Sequence, residues 1–390
     1  MSDISSAKPE RRLRVAVLNR RFAATGGGAE RYSIAMVEHL SAQHEIHVFA
    51  QKIDHQWPGV TYHRVSMPFE RPRWINQLWY AWVTWCATRS GFDVVHSHEN
   101  TWHGNVQTMH VLPVKYNLFF GLTGLKLALR WLKVLTSPRL LAYLALERSR
   151  FSLKRPRALV LASQTLVAQT LQAYPHSLVA IEVITPGVEQ VPGPAQPAEK
   201  AAARALLGLP RAGYGLLFVA NDYRKKGLGT LLVALAQLPP ACFLTVIGHA
   251  GQVTAFKAQA QTLGLAKRVY FLGPLRDVCP AYLACDGLAH PTLEDTFAMV
   301  VLEAMAHGLP VVVSGARYCG IAALLRDGQE ALVLDDPLDT DALARALGQL
   351  QHDDDLSKHL RITALVFAQK HQWAKLAQQQ ARIYQRITAE

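Results

Sequence analysis

The sequence predicts an α/β protein made of two doubly wound, Rossmann-like parallel-sheet domains in tandem. Three observations predict it. Short apolar runs ending in polar residues alternate with helical stretches along most of the chain. The alternation breaks once, at TPGVEQVPGPAQPAEK (185–200), where four prolines and two glycines mark a linker. It then restarts, and 390 residues suit two domains of ordinary size. The expected boundaries are 1–185 for the first domain and 186–367 for the second, with a helix from about 368 to 390 packing back on the first.

In the first domain, LRVAVLN (13–19) reads as a buried strand, followed by a Gly-rich turn and the helix ERYSIAMVEHLSAQ. HEIHVFAQ (44–51), DVVHSH (93–98) and ALVLASQ (158–164) continue the pattern. In the second domain the expected strands are GLLFVAN (215–221), FLTVIGH (243–249), RVYFLGP (268–274), GLAHP (287–291), PVVVSG (310–315) and EALVLDD (330–336). The last stretch, LSKHLRITALVFAQKHQWAKLAQQQARIYQRI, predicts one or two long amphipathic helices. Parallel sheets of this kind bind ligands at the carboxyl ends of their strands, so the chemistry is expected in the loops that follow strands.

Composition narrows the setting. No apolar run reaches the roughly 18 to 20 residues that span a bilayer, and the N-terminus meets charge after charge without a signal-peptide core. Five cysteines form no CxxC pair, which points to reduced thiols in the cytoplasm. The net charge of +12 is concentrated between Pro113 and Arg157, where ten cations (Lys115, Lys126, Arg130, Lys133, Arg139, Arg148, Arg150, Lys154, Arg155 and Arg157) face one acid, Glu147. Leu, Phe and Trp are interspersed (NLFFGLTGLKLALRWLKVL), a basic amphipathic pattern suited to an anionic membrane surface. Lys126, Arg130, Trp131 and Lys133 are the candidate surface contacts, with Phe119 and Phe120 beside them. A helix pair with a solvated basic face is the plainer alternative. Nucleic acid is not the expected partner, because the aromatics accompany long aliphatics instead of forming stacking platforms. The tryptophans of WINQLWYAWVTW (74–85) fit either a membrane contact or a buried helix.

Three loops carry candidate chemistry. In NRRFAATGGGAERY, Gly26, Gly27 and Gly28 precede a helix, so its first amides can approach an anion closely, although a tight strand-to-helix turn explains the glycines equally well. In FVANDYRKKGLGTLL, Asn221 ends a strand and Arg224, Lys225 and Lys226 precede a helix. Such charges suit a diphosphate, and a solvated loop is the common alternative. In HPTLEDTFAMVVLEAMAHGLPVV, Thr292, Glu294 and Asp295 are read as the start of a helix, where caps and acids are favoured. Glu303 lies inside an otherwise apolar helix, so it needs donors, and sugar hydroxyls are good ones.

Together these loops resemble glycosyltransferase family four, the retaining enzymes of the GT-B fold. Pro291 to Ala306 resembles the family's E-x7-E stretch, with Asp295 as the first acid and Glu303 as the second. The family's R-x4-K-G falls on Asn221 and Lys226, so Arg224 or Lys225 is expected to supply the missing charge. GGGAERY resembles the family's G-G-A-E-R loop, and TPGVE (185–189) its N-G-V-D stretch. Within the family the residues are most similar to lipopolysaccharide-core glucosyltransferases. Those enzymes share the R-K-G loop, a C-G-x-A stretch like Cys319-Gly320-Ile321-Ala322, and an A-x-x-E-R-x-x-F pattern like Ala145, Glu147, Arg148 and Phe151.

The resemblance implies two Rossmann-like domains facing each other across a cleft, and transfer of a hexose from a UDP-sugar to a lipid-anchored glycan. The implied donor contacts are Gly27, Gly28, Asn221, Arg224, Lys225, Lys226, Asp295, Glu303, Gly320 and Ile321. Asp295, Lys226 and His110 carry the implied catalytic roles, with His110 in QTMH resembling a family histidine near the donor sugar. No cofactor or metal is expected, since His96, His98, His103 and His110 have no matching cysteine or carboxylate ligands nearby. The expected location is the inner face of the cytoplasmic membrane, as a peripheral protein. A GT-B epimerase, a phosphorylase, or a non-enzymatic membrane or nucleic-acid binding protein are the competing readings. Binding alone does not require Asp295 and Glu303.

Overall fold

The computed structural model describes residues 11–23, 27–151, 158–177, 179–248, 251 and 253–389. The chain divides into two compact units. One comprises the residues up to Leu161, Val167–Ile184 and everything from Leu376 on; the other comprises Ala162–Leu166 and Thr185–Lys375. The return crossing thus lies at 375/376, and the helix Asp354–Lys370 stays in the second unit. Gly26, Lys154, Arg155 and Arg157 lie outside the described residues.

The first unit holds seven parallel strands in the order Val60–Arg64, Glu45–Ala50, Arg14–Leu18, Val94–Ser97, Val106–Met109, Ala158–Leu161, Ala180–Val183. Arg14–Leu18 pairs with Glu45–Ala50 on one side and Val94–Ser97 on the other, so strand order reverses there. Such a reversal opens a crevice at the carboxyl ends. The edge strands Val60–Arg64 and Ala180–Val183 are partly exposed, so neither needs a continuous apolar run, and neither stands out in the sequence. Val106–Met109 (VQTM) is buried although half polar, because the Gln107 amide donates to the carbonyls of Thr101 and His103. The C-terminal helix Trp373–Ala389 completes this unit: buried Tyr384 places its hydroxyl 2.6 Å from His96 Nδ1, and Arg386 pairs with Glu182 at 2.8 Å.

The second unit holds six parallel strands in the order Val269–Gly273, Cys242–Ile247, Tyr214–Val219, Gly287–His290, Val311–Ser314, Leu332–Leu334. Neighbouring residues of one strand feed opposite cores. Leu216 and Phe218 pack with Leu231, Leu244 and Leu343, while Leu217 packs with Leu288, Val301 and Phe367. Both faces are therefore covered, as an all-parallel sheet requires. Order reverses between Tyr214–Val219 and Gly287–His290.

Two helical regions depart from simple expectation. The basic segment forms three helices, Val114–Phe119, Gly124–Leu135 and Pro138–Arg150. Two of its cations do not serve a basic face. Arg150 is buried and donates to the Glu99 carbonyl, and Lys115 donates to the Ala173 carbonyl at 2.6 Å and sits over the Tyr174 ring. Glu147 is buried as well, accepting from the Val114 and Lys115 amides and from Tyr174.

The middle helix, Gly124–Leu135, buries only Val134. Its Leu125, Leu129 and Leu132, spaced i, i+4, i+7 on one face, are all exposed, Leu125 to 75%. The helix Arg73–Thr88 is inverted in the same sense. It buries Asn76, Gln77, Tyr80, Thr84 and Thr88 and exposes Trp82 (49%) and Trp85 (40%). Its inward polar groups are satisfied: Asn76 and Gln51 exchange two hydrogen bonds, Gln77 donates to the Asn100 carbonyl and Tyr80 to the Phe49 carbonyl.

Candidate active site

The second unit gathers its polar groups at the switch point of its sheet. Past the strand Tyr214–Val219, the loop to the helix Leu228–Gln237 carries Lys226. Past the strand Gly287–His290, the loop to the helix Met299–Ala306 carries Asp295. Lys226 Nζ donates to Asp295 Oδ2 at 2.7 Å and to the Glu294 carbonyl at 2.8 Å. Buried His290 places Nε2 3.1 Å from the same carboxylate oxygen. The other oxygen accepts from the amides of Ala298 (2.9 Å) and Phe297 (3.3 Å). Burial by itself raises the Asp295 pKa, but the hydrogen bond from His290 and the Lys226 charge outweigh it and hold the carboxyl well below its ordinary range. Burial pushes His290 the other way, below the usual imidazole value.

Two glycines make this approach possible. At Gly227 (φ +80°) an added Cβ would lie 1.9 Å from the Pro291 carbonyl oxygen; at Gly320 it would lie 1.9 Å from that of Thr296. Any side chain there would push the two loops apart. Gly320 N donates to the Asp295 carbonyl and Ile321 N to that of Phe297, so the Cys319–Ala322 stretch braces the Asp295 loop from its far side. Ala298, at φ +73°, is the one non-glycine residue with positive φ among the described residues. It caps the helix Met299–Ala306 in a left-handed conformation that suits glycine better.

The expectation that Glu294 and Asp295 sit in a helical first turn is corrected here. The helix begins only at Met299, because Asp295 Oδ1 is engaged by the loop amides that precede it. Glu303 stands in the second turn, where Tyr282 donates to its Oε2 at 2.7 Å. Lys225 pairs with Glu294 at 3.3 Å, both more than half exposed. Arg224 lines a recess of about 340 Å³ with Gly227, Gly229, Thr230, Phe256, Gln259 and Leu293. Asn221 is exposed. Lys226 is thus the cation of this loop brought to Asp295.

In the first unit, Gly27 is the N-cap of the helix Gly28–Leu40. His110 follows the strand Val106–Met109, its Nε2 3.0 Å from His98 Nδ1 with the rings stacked, and Tyr32 meets it edge-on at 4.9 Å. His98 in turn packs on His96, whose nitrogens reach Tyr384 and Thr108. Burial drives all three imidazoles to low pKa, His96 and His110 to about 3, with Arg150 adding to the effect at His110. All three are neutral near pH 7.

Sequence reasoning missed His290, Tyr282 and His307. His290 was visible in AHP as the end of a strand; nothing in spacing links Tyr282 or His307 to Glu303.

Two doubly wound units, one with an ion-paired lysine and acid at its switch point, have the architecture of the GT-B fold. The family description "Glycosyltransferase Family 4" matches residues 26–190, and "Glycosyl transferases group 1" matches residues 200–365. The chain belongs to this family of GT-B glycosyltransferases. It is 31% identical over 244 residues to D-inositol 3-phosphate glycosyltransferase of Corynebacterium urealyticum, covering 59% of this chain and 56% of that protein. It is 28% identical over 216 residues to lipopolysaccharide glucosyltransferase WaaG of Escherichia coli K12, covering 53% and 56%. The chain thus spans a little over half the length of these curated relatives. In three dimensions it resembles the crystal structure of WaaG, a glycosyltransferase involved in lipopolysaccharide biosynthesis, with a TM-score of 0.79, 22% identity and coverage of 95% and 99%. It also resembles Anabaena Alr3699/HepE in complex with UDP and glucose, with a TM-score of 0.74, 19% identity and coverage of 95% and 98%.

Proposed function

We propose that the protein is a retaining hexosyltransferase that moves a hexose, glucose or a similar sugar, from a UDP-sugar to a lipid-anchored glycan in lipopolysaccharide core assembly. The observation that carries this reading is the Lys226–Asp295 pair at the switch point, with Glu303 on the helix that follows. Solved relatives of the same fold hold UDP and UDP-glucose.

In this reading Lys226 neutralises the donor diphosphate. Its positive charge stabilises the departing group, where charge develops in the transition state. Asp295 binds the hexose hydroxyls, and Glu303 accepts hydrogen bonds from the ribose. Asn221, Arg224 and Lys225 border the diphosphate. The bond from C1 to the phosphate oxygen breaks as the acceptor oxygen bonds C1 from the same face. The acceptor proton passes to the departing diphosphate, so no protein base is required. The product keeps the α configuration of its donor.

The lipid-anchored acceptor and peripheral location on the inner membrane face rest on two outward apolar faces. Leu125, Leu129 and Leu132, with Lys126, Arg130, Trp131 and Lys133 on the same helix, suit the interface of an anionic leaflet. Trp82 and Trp85 suit the same interface. No helix among the described residues is long and apolar enough to cross a membrane. The relatives named as inositol-phosphate glycosyltransferases favour a second acceptor class, a small polyol phosphate; the exposed leucine face favours the lipid-anchored one. Incubation with UDP-glucose and either deacylated core oligosaccharide or inositol phosphate, read by mass spectrometry and NMR, tests both. A β-linked product excludes the mechanism.

A further inference from the structure

The acid on the buried helix has a support that nothing in the motif anticipates. Tyr282 lies on the short helix Cys279–Ala284 and is 3% exposed. Its hydroxyl donates to Glu303 Oε2 at 2.7 Å. Its ring stacks on His307, centroids 4.8 Å apart and planes 20° from parallel.

His307 is itself held at both nitrogens. Nδ1 lies 2.8 Å from the Glu303 carbonyl oxygen, which can only accept, so Nδ1 carries the proton. In the neutral ring Nε2 then presents a lone pair, and Cys279 Sγ lies 3.5 Å from it as the donor. The thiol fixes the imidazole, the imidazole fixes the phenol plane, and the phenol fixes one carboxylate oxygen. A glutamate carboxylate on its flexible arm otherwise samples several rotamers, and holding it in one lowers the cost of ordering it when a ligand binds.

We infer that Tyr282 is a positioning residue, orienting the Glu303 carboxylate toward the ribose hydroxyls of the nucleotide. This rests on the proposed role of Glu303 as the ribose acceptor. Tyr282 touches Glu303 and no reacting atom, so its effect falls on nucleotide binding and on selectivity for the ribose diol.

The test pairs a protein change with a ligand change, using calorimetric titration of the full chain with uridine diphosphate and with its 2′,3′-dideoxy analogue. The native protein is expected to prefer the ribonucleotide at least tenfold. Tyr282→Phe keeps the ring and its stacking and removes only the hydroxyl. It is expected to weaken ribonucleotide binding three- to tenfold while leaving the dideoxy analogue unchanged, so the preference shrinks by that factor. A variant that simply loosens the fold would weaken both ligands alike, and that result overturns the inference, as does a preference equal to the native one. If the native protein binds both nucleotides equally, the ribose role of Glu303 falls, and the inference with it. Should Tyr282→Phe fold poorly, His307→Leu retains the phenol but removes its stacking partner. The same selective loss is then expected, and an unaltered preference overturns the inference.

Discussion

Lys226 Nζ and Asp295 Oδ2 lie 2.7 Å apart on loops that leave the two strands flanking the switch point of the second sheet. Sixty-nine positions separate them in sequence. The pair is mostly buried, and the His290 side chain closes its inner side. An ion pair in that setting depends on both partners, because removing one strands a desolvated charge.

Lys226→Ala is therefore expected to weaken donor binding at least tenfold in calorimetry. A hydrogen bond to a charged group contributes about 1.5–3 kcal/mol, which corresponds to a factor of ten or more. Unchanged affinity for UDP would remove Lys226 from the diphosphate.

The two glutamates of the stretch should behave differently. Glu294 is exposed and pairs with Lys225 at the surface, where an ion pair contributes about 0–1 kcal/mol. Glu303 is held by Tyr282 on the helix of the site. Glu303→Gln is expected to lose far more transferase activity than Glu294→Gln in the same assay, and equal losses would mean the acids are misassigned.

Ala298 tests the backbone. Its φ of +73° costs an L-residue about 1–2 kcal/mol, and a β-branched residue fits there worse still. Ala298→Gly is expected to unfold thermally at or above the native temperature. Ala298→Val should unfold several degrees lower, with the loss read as a fall in denaturation midpoint.

The buried histidines set an acid limit on the first unit. Folded His96 and His110 titrate near pH 3, whereas unfolded imidazoles titrate near 6.5. Between those values the unfolded chain binds more protons, so stability is present above about pH 6.5 and falls as pH drops through that window. The slope is about 1.4 kcal/mol per pH unit for each histidine. Thermal midpoints measured from pH 7 to 5 should fall, and His96→Gln should flatten the dependence.

The proposed membrane contact is expected to be separable from donor binding. Wild-type protein should float with anionic liposomes at low salt and detach as salt rises. Replacing Lys126, Arg130 and Lys133 by Glu should abolish flotation while UDP binding stays intact. Trp82→Ser with Trp85→Ser should weaken flotation without changing its salt dependence. If wild-type protein ignores anionic vesicles, the outward leucines belong to another partner.

What the sequence by itself determined was everything set by short-range pattern. Short apolar runs such as GLLFVAN and PVVVSG, alternating with helical stretches, read as buried strands, so the doubly wound class was legible. The spacing of Asp295 and Glu303, and the glycine before the helix at Leu228, were legible for the same reason.

Tertiary structure decided what no local pattern contains. The edge strand Val60–Arg64 exists because a neighbour offers its backbone groups, not because its own residues are apolar. The helix Arg73–Thr88 turns Asn76, Gln77 and Tyr80 inward because Gln51 and the Asn100 and Phe49 carbonyls, from distant segments, satisfy them there, while Thr84 and Thr88 donate to carbonyls of their own helix. Asp295 is held outside the helix it was read into, since its carboxylate gains more from Lys226, His290 and two loop amides than from a first helical turn. Tyr282 reaches Glu303 only once two helices pack together. Burial and hydrogen-bond partners are properties of the assembled chain, and they, not residue type, settle which polar side chains face inward.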